Sequence, residues 1–167
     1  MERDTMEFDV IIVGAGPAGL STAIRLLQLA QKNEKEITLC VVEKGSEVGS
    51  HILSGAVFET RALDELIPDW KAQGAPLNTP VTEDHIAVLR NAEKHIEVPS
   101  MFAPKTMHND GNYIISVGAF TRWLGEQAEN LGAEIFPGFP ASELIVEDGV
   151  VTGIITGDMG IGKDGAE

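Results

Sequence analysis

Three glycines and one acid carry the first recognisable chemistry in this sequence. Gly14, Gly16 and Gly19 stand in the run 14–19 (GAGPAG), with Ala15, Pro17 and Ala18 between them, and Glu43 follows at a distance. Gly14 permits a tight turn out of a strand. Gly16 leaves the backbone bare, so a pyrophosphate can approach it. Gly19 lets the following helix pack close to a sheet. A pyrophosphate held there meets free N–H groups and the positive end of a helix dipole. Pro17 suits the first helical turn, where its missing N–H is no loss. Glu43 is placed to accept hydrogen bonds from ribose hydroxyls, and its charge would repel a 2′-phosphate. The chemistry is that of holding a dinucleotide, with the 2′-phosphorylated NADP disfavoured.

A glycine hexapeptide alone is a weak signal, so the elements around it decide. Residues 9–13 (DVIIV) form a short, continuous apolar run, as expected of a strand buried on both faces of a parallel sheet. Leu20, Ala23, Ile24, Leu27 and Ala30 then recur at helical spacing, predicting one apolar helix face to about Gln31. Residues 32–36 (KNEKE) are a charged exit loop. Residues 37–42 (ITLCVV) read as a second buried strand, with Glu43 at its end. Strand, glycine loop, helix, strand and acid are thus in register, and the unit is a βαβ nucleotide fold.

Downstream, the pattern changes. Gly45, Gly49, Ser50, Ser54 and Gly55 break up the stretch after Lys44, as in a loop approaching a ligand. Residues 60–67 predict a short helix with Thr60 as cap and Leu63, Leu66 and Ile67 as its apolar face. Residues 85–90 and 95–98 predict two short antiparallel strands. Residues 113–117 predict a strand, 119–131 a helix with Gly132 as C-cap, and 134–136 a strand back in the parallel sheet. Residues 143–147 and 150–156 flank Asp148–Gly149, a hairpin signal. The expected organisation is 1–73 as the βαβ unit with its loop, 74–110 as an inserted segment, 111–157 as the return, and 158–167 as a flexible tail. The fold class is α/β: a Rossmann-like parallel sheet with an inserted mixed β layer, the sheet incomplete within this chain. A strand and helix that normally complete such a sheet do not follow, so the chain reads as an N-terminal piece of a longer protein.

Composition narrows the partners. With 12 Lys+Arg against 26 Asp+Glu, the formal net charge is −14, which argues against a nucleic-acid partner. No apolar run is long enough for a transmembrane helix. Residues 1–8 (MERDTMEF) lack the pattern of a signal or transit peptide, so the mature protein is expected to begin here. Cys40 is the only cysteine, so the chain holds no disulfide and no cysteine-ligated iron–sulfur site. His85, His95 and His108 lack ligand-like spacing. Trp70 and Trp123 read as packing, and Arg122 as part of a solvated face.

The choice between FAD and NAD rests on position and topology. The motif lies near the start of the sequence, as is common in flavoproteins. A simple NAD domain would continue promptly into further βα units, whereas this chain inserts a Gly/Ser loop and mixed strands first. FAD is the expected cofactor. The alternatives are another FAD oxidoreductase, such as a hydroxylase or reductase, and a non-catalytic module that binds no cofactor.

The residues outside the glycine motif are more specific. Glu43 and Lys44, then 48–57 (VGSHILSGAV), 67–70 (IPDW), 74–84 (GAPLNTPVTED), 111–113 (GNY), 125–128 (GEQA) and 157–166 (GDMGIGKDGA) resemble the electron transfer flavoprotein–ubiquinone oxidoreductase family. The resemblance implies transfer of electrons from reduced electron transfer flavoprotein, through FAD and a [4Fe–4S] cluster, to ubiquinone. It implies a peripheral position on one membrane face: the cytoplasmic face of a bacterial inner membrane, or the inner membrane of mitochondria in eukaryotic relatives. It assigns Gly14, Ala15, Gly16, Pro17, Ala18, Gly19, Glu43 and Lys44 to the FAD phosphates and ribose. Ser50, His51, Leu53, Ser54 and Gly55 fall in the loop beside the flavin, with His51 acting through its backbone. Residues from about 51 to 67 match a region expected to contact the bilayer, where Leu53, Val57 and Phe58 could meet lipid or serve as core. The cluster's cysteines belong to the family's C-terminal part, so this chain alone is not expected to be active.

Overall fold

The computed structural model describes residues 4–157. In chain order its elements are β1 (Val10–Val13), α1 (Pro17–Lys32), β2 (Leu39–Glu43), β3 (Gly55–Phe58), α2 (Arg61–Leu66), β4 (Thr79–Pro80), β5 (Ile86–Leu89), β6 (His95–Val98), β7 (Tyr113–Ser116), α3 (Val117–Asn130), β8 (Glu134–Pro137), β9 (Ala141–Glu147) and β10 (Val150–Thr156). They fall into two compact units. One comprises the segment up to Ser54 and the segment from Val117 onward; the other is Gly55–Ser116.

The first unit is built on a parallel sheet of order β1-β2-β8. Its helices lie where the apolar spacing put them. Leu20, Ala23, Ile24, Leu27 and Ala30 are the buried positions of α1, the same five that carry the helical periodicity. On α3, Phe120, Trp123, Leu124 and Ala128 are buried, and α3 packs against α1. Ala23 and Ala128 are fully buried. Thr121, the only polar residue buried as a whole among the described residues, is satisfied: its hydroxyl donates to Val117 O at 2.7 Å. Gly132, at φ +103, ends α3 as expected. The β9–β10 hairpin turns at Asp148 and Gly149, both at positive φ.

β1 corrects one expectation. It is not a strand buried on both faces. Among the described residues it pairs only with β2 and stands at the edge of the sheet they form, with Val13 60% exposed. An apolar run registers affinity for burial, not the number of neighbours that supply it. Cys40, by contrast, lies on the central strand β2 and is buried; burial, with the Glu134 charge second, pushes its thiol pKa up and keeps it protonated.

The second unit is wider than the expected insertion at 74–110. β3 pairs antiparallel with β7, from Gly55 opposite Ser116 to Phe58 opposite Tyr113, and β4 pairs with β7 on its other side. The segment 113–117, expected to return to the nucleotide fold, therefore forms the middle of a separate sheet, and the return begins at Val117. Gly55, expected within a loop, opens a strand. β5 and β6 form the predicted hairpin. On α2, Leu63 is buried, as is Ile67 just beyond it. Thr60 does not cap the helix; its hydroxyl donates to Asp64 Oδ2 at 2.8 Å, and Asp64 Oδ1 accepts the indole N–H of buried Trp70 at 2.7 Å. The tail expected at 158–167, with most of the 157–166 motif, lies outside the described residues.

Candidate dinucleotide site

The site forms where β1 turns into α1, against the end of β2. Gly14 leaves the strand at φ +99, a conformation that side-chain-bearing residues rarely adopt. Its N–H donates to Val42 O at 2.7 Å, tying the turn to β2. Gly16 is the N-cap, in extended conformation and with no side chain to cap the helix. Pro17 follows as the first helical residue. Leu20 N–H is the first to find a helical carbonyl, Gly16 O at 3.0 Å, so the N–H groups of Ala18 and Gly19 have no acceptor one turn back.

Two of the glycines are fixed by space. A Cβ on Gly19 would collide with the carbonyl oxygen of Gly14, so this helix start can approach the strand only without a side chain. A Cβ on Gly16 would meet nothing within 4 Å. The bare backbone at Gly16 therefore answers to no protein neighbour. It faces open space beside a helix N-terminus, the arrangement a diphosphate needs.

Glu43 closes the other side. Its Oε2 accepts the N–H of Ala15 at 2.9 Å, and its Oε1 accepts the N–H of Gly45 at 2.7 Å. Both oxygens are thus held by backbone donors, and each keeps a lone pair for a hydroxyl. A fixed negative charge here favours the neutral hydroxyls of a ribose and disfavours a phosphate in their place. Together the open backbone at Gly16, the clash-limited Gly19 and the pinned carboxylate fit an adenine dinucleotide.

The structure thus brings Gly14, Ala15, Gly16, Pro17, Ala18 and Gly19 together with Glu43. Lys44, next in sequence, is exposed. In the following loop, His51, Leu53 and Ser54 are exposed, Leu53 almost completely. Gly55 belongs to the second unit. Ser50 differs from its neighbours: its hydroxyl oxygen is shielded from solvent yet has no hydrogen-bond partner among the described residues. Sequence reasoning missed Gly45, the second donor to Glu43. Its signal was a glycine two residues past the strand-end acid, where the backbone must turn back on the carboxylate. His85 pairs with exposed Glu83 at 3.1 Å, Arg122 is exposed, and Trp70 and Trp123 are buried in packing roles. No group of three or more His, Cys, Asp or Glu among the described residues could hold a metal ion.

Comparison with known proteins agrees with this geometry. The pattern of the FAD-NAD(P)-binding family matches residues 11–138, and the chain belongs to that family. Within it, the chain is 68% identical over 166 residues to the electron transfer flavoprotein–ubiquinone oxidoreductase of Pseudomonas aeruginosa, covering 99% of this chain and 30% of that protein. It is 59% identical over 165 residues to the mitochondrial protein of the same name from Dictyostelium discoideum, covering 98% of this chain and 27% of that one. The chain therefore spans less than a third of the length of these relatives. Among solved structures, a geranylgeranyl bacteriochlorophyll reductase-like protein from Thermoplasma acidophilum superposes with a TM-score of 0.61 at 23% identity, over 89% of this chain and 34% of that one. That likeness shows the shared fold.

Proposed function

We propose that this chain is the FAD-binding part of an oxidoreductase that takes electrons from reduced electron transfer flavoprotein and passes them to ubiquinone at a membrane surface. The observation that carries the reading is the 68% identity over 166 residues to a relative of that name. The cradle at Gly14–Gly19 and Glu43 supports its cofactor-binding part, because the open backbone at Gly16 and the carboxylate held by Ala15 and Gly45 suit a dinucleotide. Bound FAD supplies the redox chemistry, accepting and releasing electrons at its isoalloxazine ring. The chain's own residues bind and orient. The backbone at Gly16 and the N–H groups of Ala18 and Gly19 receive the diphosphate, and Glu43 receives the adenosine ribose. One cysteine supplies no four-thiolate site, so the [4Fe–4S] cluster of the proposal would be held by other segments.

The proposed attachment is peripheral, on the cytoplasmic face of a bacterial inner membrane, and no described helix is long and apolar enough to cross a membrane. Within the segment 51–67, Leu63 and Ile67 are buried and unavailable to lipid, while Leu53 and Val57 are exposed. The second unit offers a larger set. Its β5–β6 hairpin exposes Val88, Leu89 and Ile96, and the turn after it exposes Met101 and Phe102, 81% and 74%. Arg90, Lys94 and Lys105 are exposed on the same stretch of chain, beside the equally exposed Glu93 and Glu97, so the apolar side chains are what this stretch offers a bilayer.

The test uses protein expressed from its complete gene and loaded with FAD. Reduced electron transfer flavoprotein should bleach the flavin absorption bands, and a water-soluble ubiquinone should restore them. A flavin that stays oxidised with reduced electron transfer flavoprotein would contradict the reading.

A further inference from the structure

Ser50 is the one buried side-chain oxygen among the described residues that has no hydrogen-bond partner. Leaving a hydroxyl desolvated and unpaired is unfavourable, so such a group points to a partner gained on binding. Its position narrows what the partner is. A Cβ built on Gly45 would stand 2.5 Å from Ser50 Oγ and 3.1 Å from Glu43 Oε1. The hydroxyl and the carboxylate therefore crowd the same face of Gly45. Both carboxylate oxygens are already engaged by the N–H groups of Ala15 and Gly45, and each can still accept one more bond. Ser50 is the uncommitted donor beside them.

We infer that Ser50 is a positioning residue for Glu43: with an adenosine ribose bound, its hydroxyl donates to Glu43 Oε1 and holds the carboxylate with Oε2 free to accept from a ribose hydroxyl. This rests on the dinucleotide-binding reading above, and it moves Ser50 from the loop beside the flavin to the adenosine end. The substitution that removes the hydroxyl then has opposite effects on the two states. In the ligand-free protein Ser50→Ala removes an unpaired buried group, and stability stays equal or rises. In the bound state it removes a hydrogen bond to a charged acceptor.

The experiment measures ADP and FAD binding by calorimetry, with protein expressed from its complete gene and stripped of flavin. S50A should weaken both ligands about tenfold, the effect of one hydrogen bond to a charged group. S50T, which keeps the hydroxyl, should restore affinity to within about twofold of wild type. With 2′,3′-dideoxy-ADP, wild type and S50A should bind equally, because the contact that Ser50 supports is gone. Thermal melting of the stripped proteins should show S50A no less stable than wild type. Equal ADP affinity in S50A and wild type would overturn the inference while leaving the dinucleotide site standing. So would an S50A penalty that persists with the dideoxy ligand. Failure of the wild-type protein to bind either ADP or FAD would overturn the site itself, and Ser50's role with it.

Discussion

The backbone N–H of Ala15 donates to Glu43 Oε2 at 2.9 Å, joining the glycine loop to the end of β2 across 28 residues of sequence. The bond places a fixed negative charge at the mouth of the loop. Glu43→Gln keeps the shape and loses the charge, and should weaken FAD binding about 10- to 100-fold, the range for a hydrogen bond to a charged group. Quenching of flavin fluorescence on titration measures it. Unchanged affinity would mean that the carboxylate faces no ribose.

Gly19 and Gly16 should separate folding from binding. A methyl at Gly19 meets Gly14 O, so Gly19→Ala should lower stability by about 1–3 kcal/mol through overpacking. A methyl at Gly16 meets nothing within 4 Å, so Gly16→Ala should unfold at the wild-type urea concentration. If the two variants lose equal stability, the spacing between α1 and β1 is misassigned.

Asp84 ties its segment to Asn109 in the second unit. Its carboxylate accepts the Asn109 side-chain amide at 2.8 Å and the Asn109 backbone N–H at 2.7 Å, and these bonds, the side-chain one foremost, hold its pKa below the ordinary carboxylate range. A carboxyl with a depressed folded pKa contributes stability above its unfolded value of about 4, and loses it as pH falls through the lower folded value. Asp84→Asn should therefore be less stable than wild type at pH 7, with the gap closing in acid below about pH 4. Urea unfolding across pH reads this out; a gap constant down to acid would rule the ion out as its source.

The exposed apolar side chains of the second unit should matter only where lipid is present. Replacing Met101 and Phe102 with serine should reduce sedimentation with anionic vesicles and leave FAD binding and melting temperature as in wild type, since both residues are largely exposed. Vesicle binding that is undiminished would move the membrane surface elsewhere.

What the sequence disclosed was local, and what it concealed was distant. The buried face of α1, the glycine loop and Glu43 were legible because each depends on spacing within a few residues or on one strand–helix–strand step. The second unit was not. Gly55–Phe58 carries no alternation strong enough to mark a strand, and its partner Tyr113–Ser116 lies more than fifty residues on. The pairing of the two, rather than either segment alone, defines where that unit begins and ends. The edge position of β1 was hidden for a related reason, since an apolar strand reads the same at the edge of a sheet as at its centre. Gly45 was visible only as a small residue in a loop, and Ser50 only as part of the loop expected beside the flavin; their nearness to Glu43 emerges once that loop folds back.

The central claim is that the backbone at Gly16 receives the diphosphate of FAD. Flavin content of purified Gly16→Val, expressed from the complete gene and compared with wild type, tests it most directly. The side chain enters the space where the diphosphate must lie, so the variant should fold, melt near the wild-type temperature and carry no flavin. A folded Gly16→Val protein with flavin at wild-type occupancy would contradict the account.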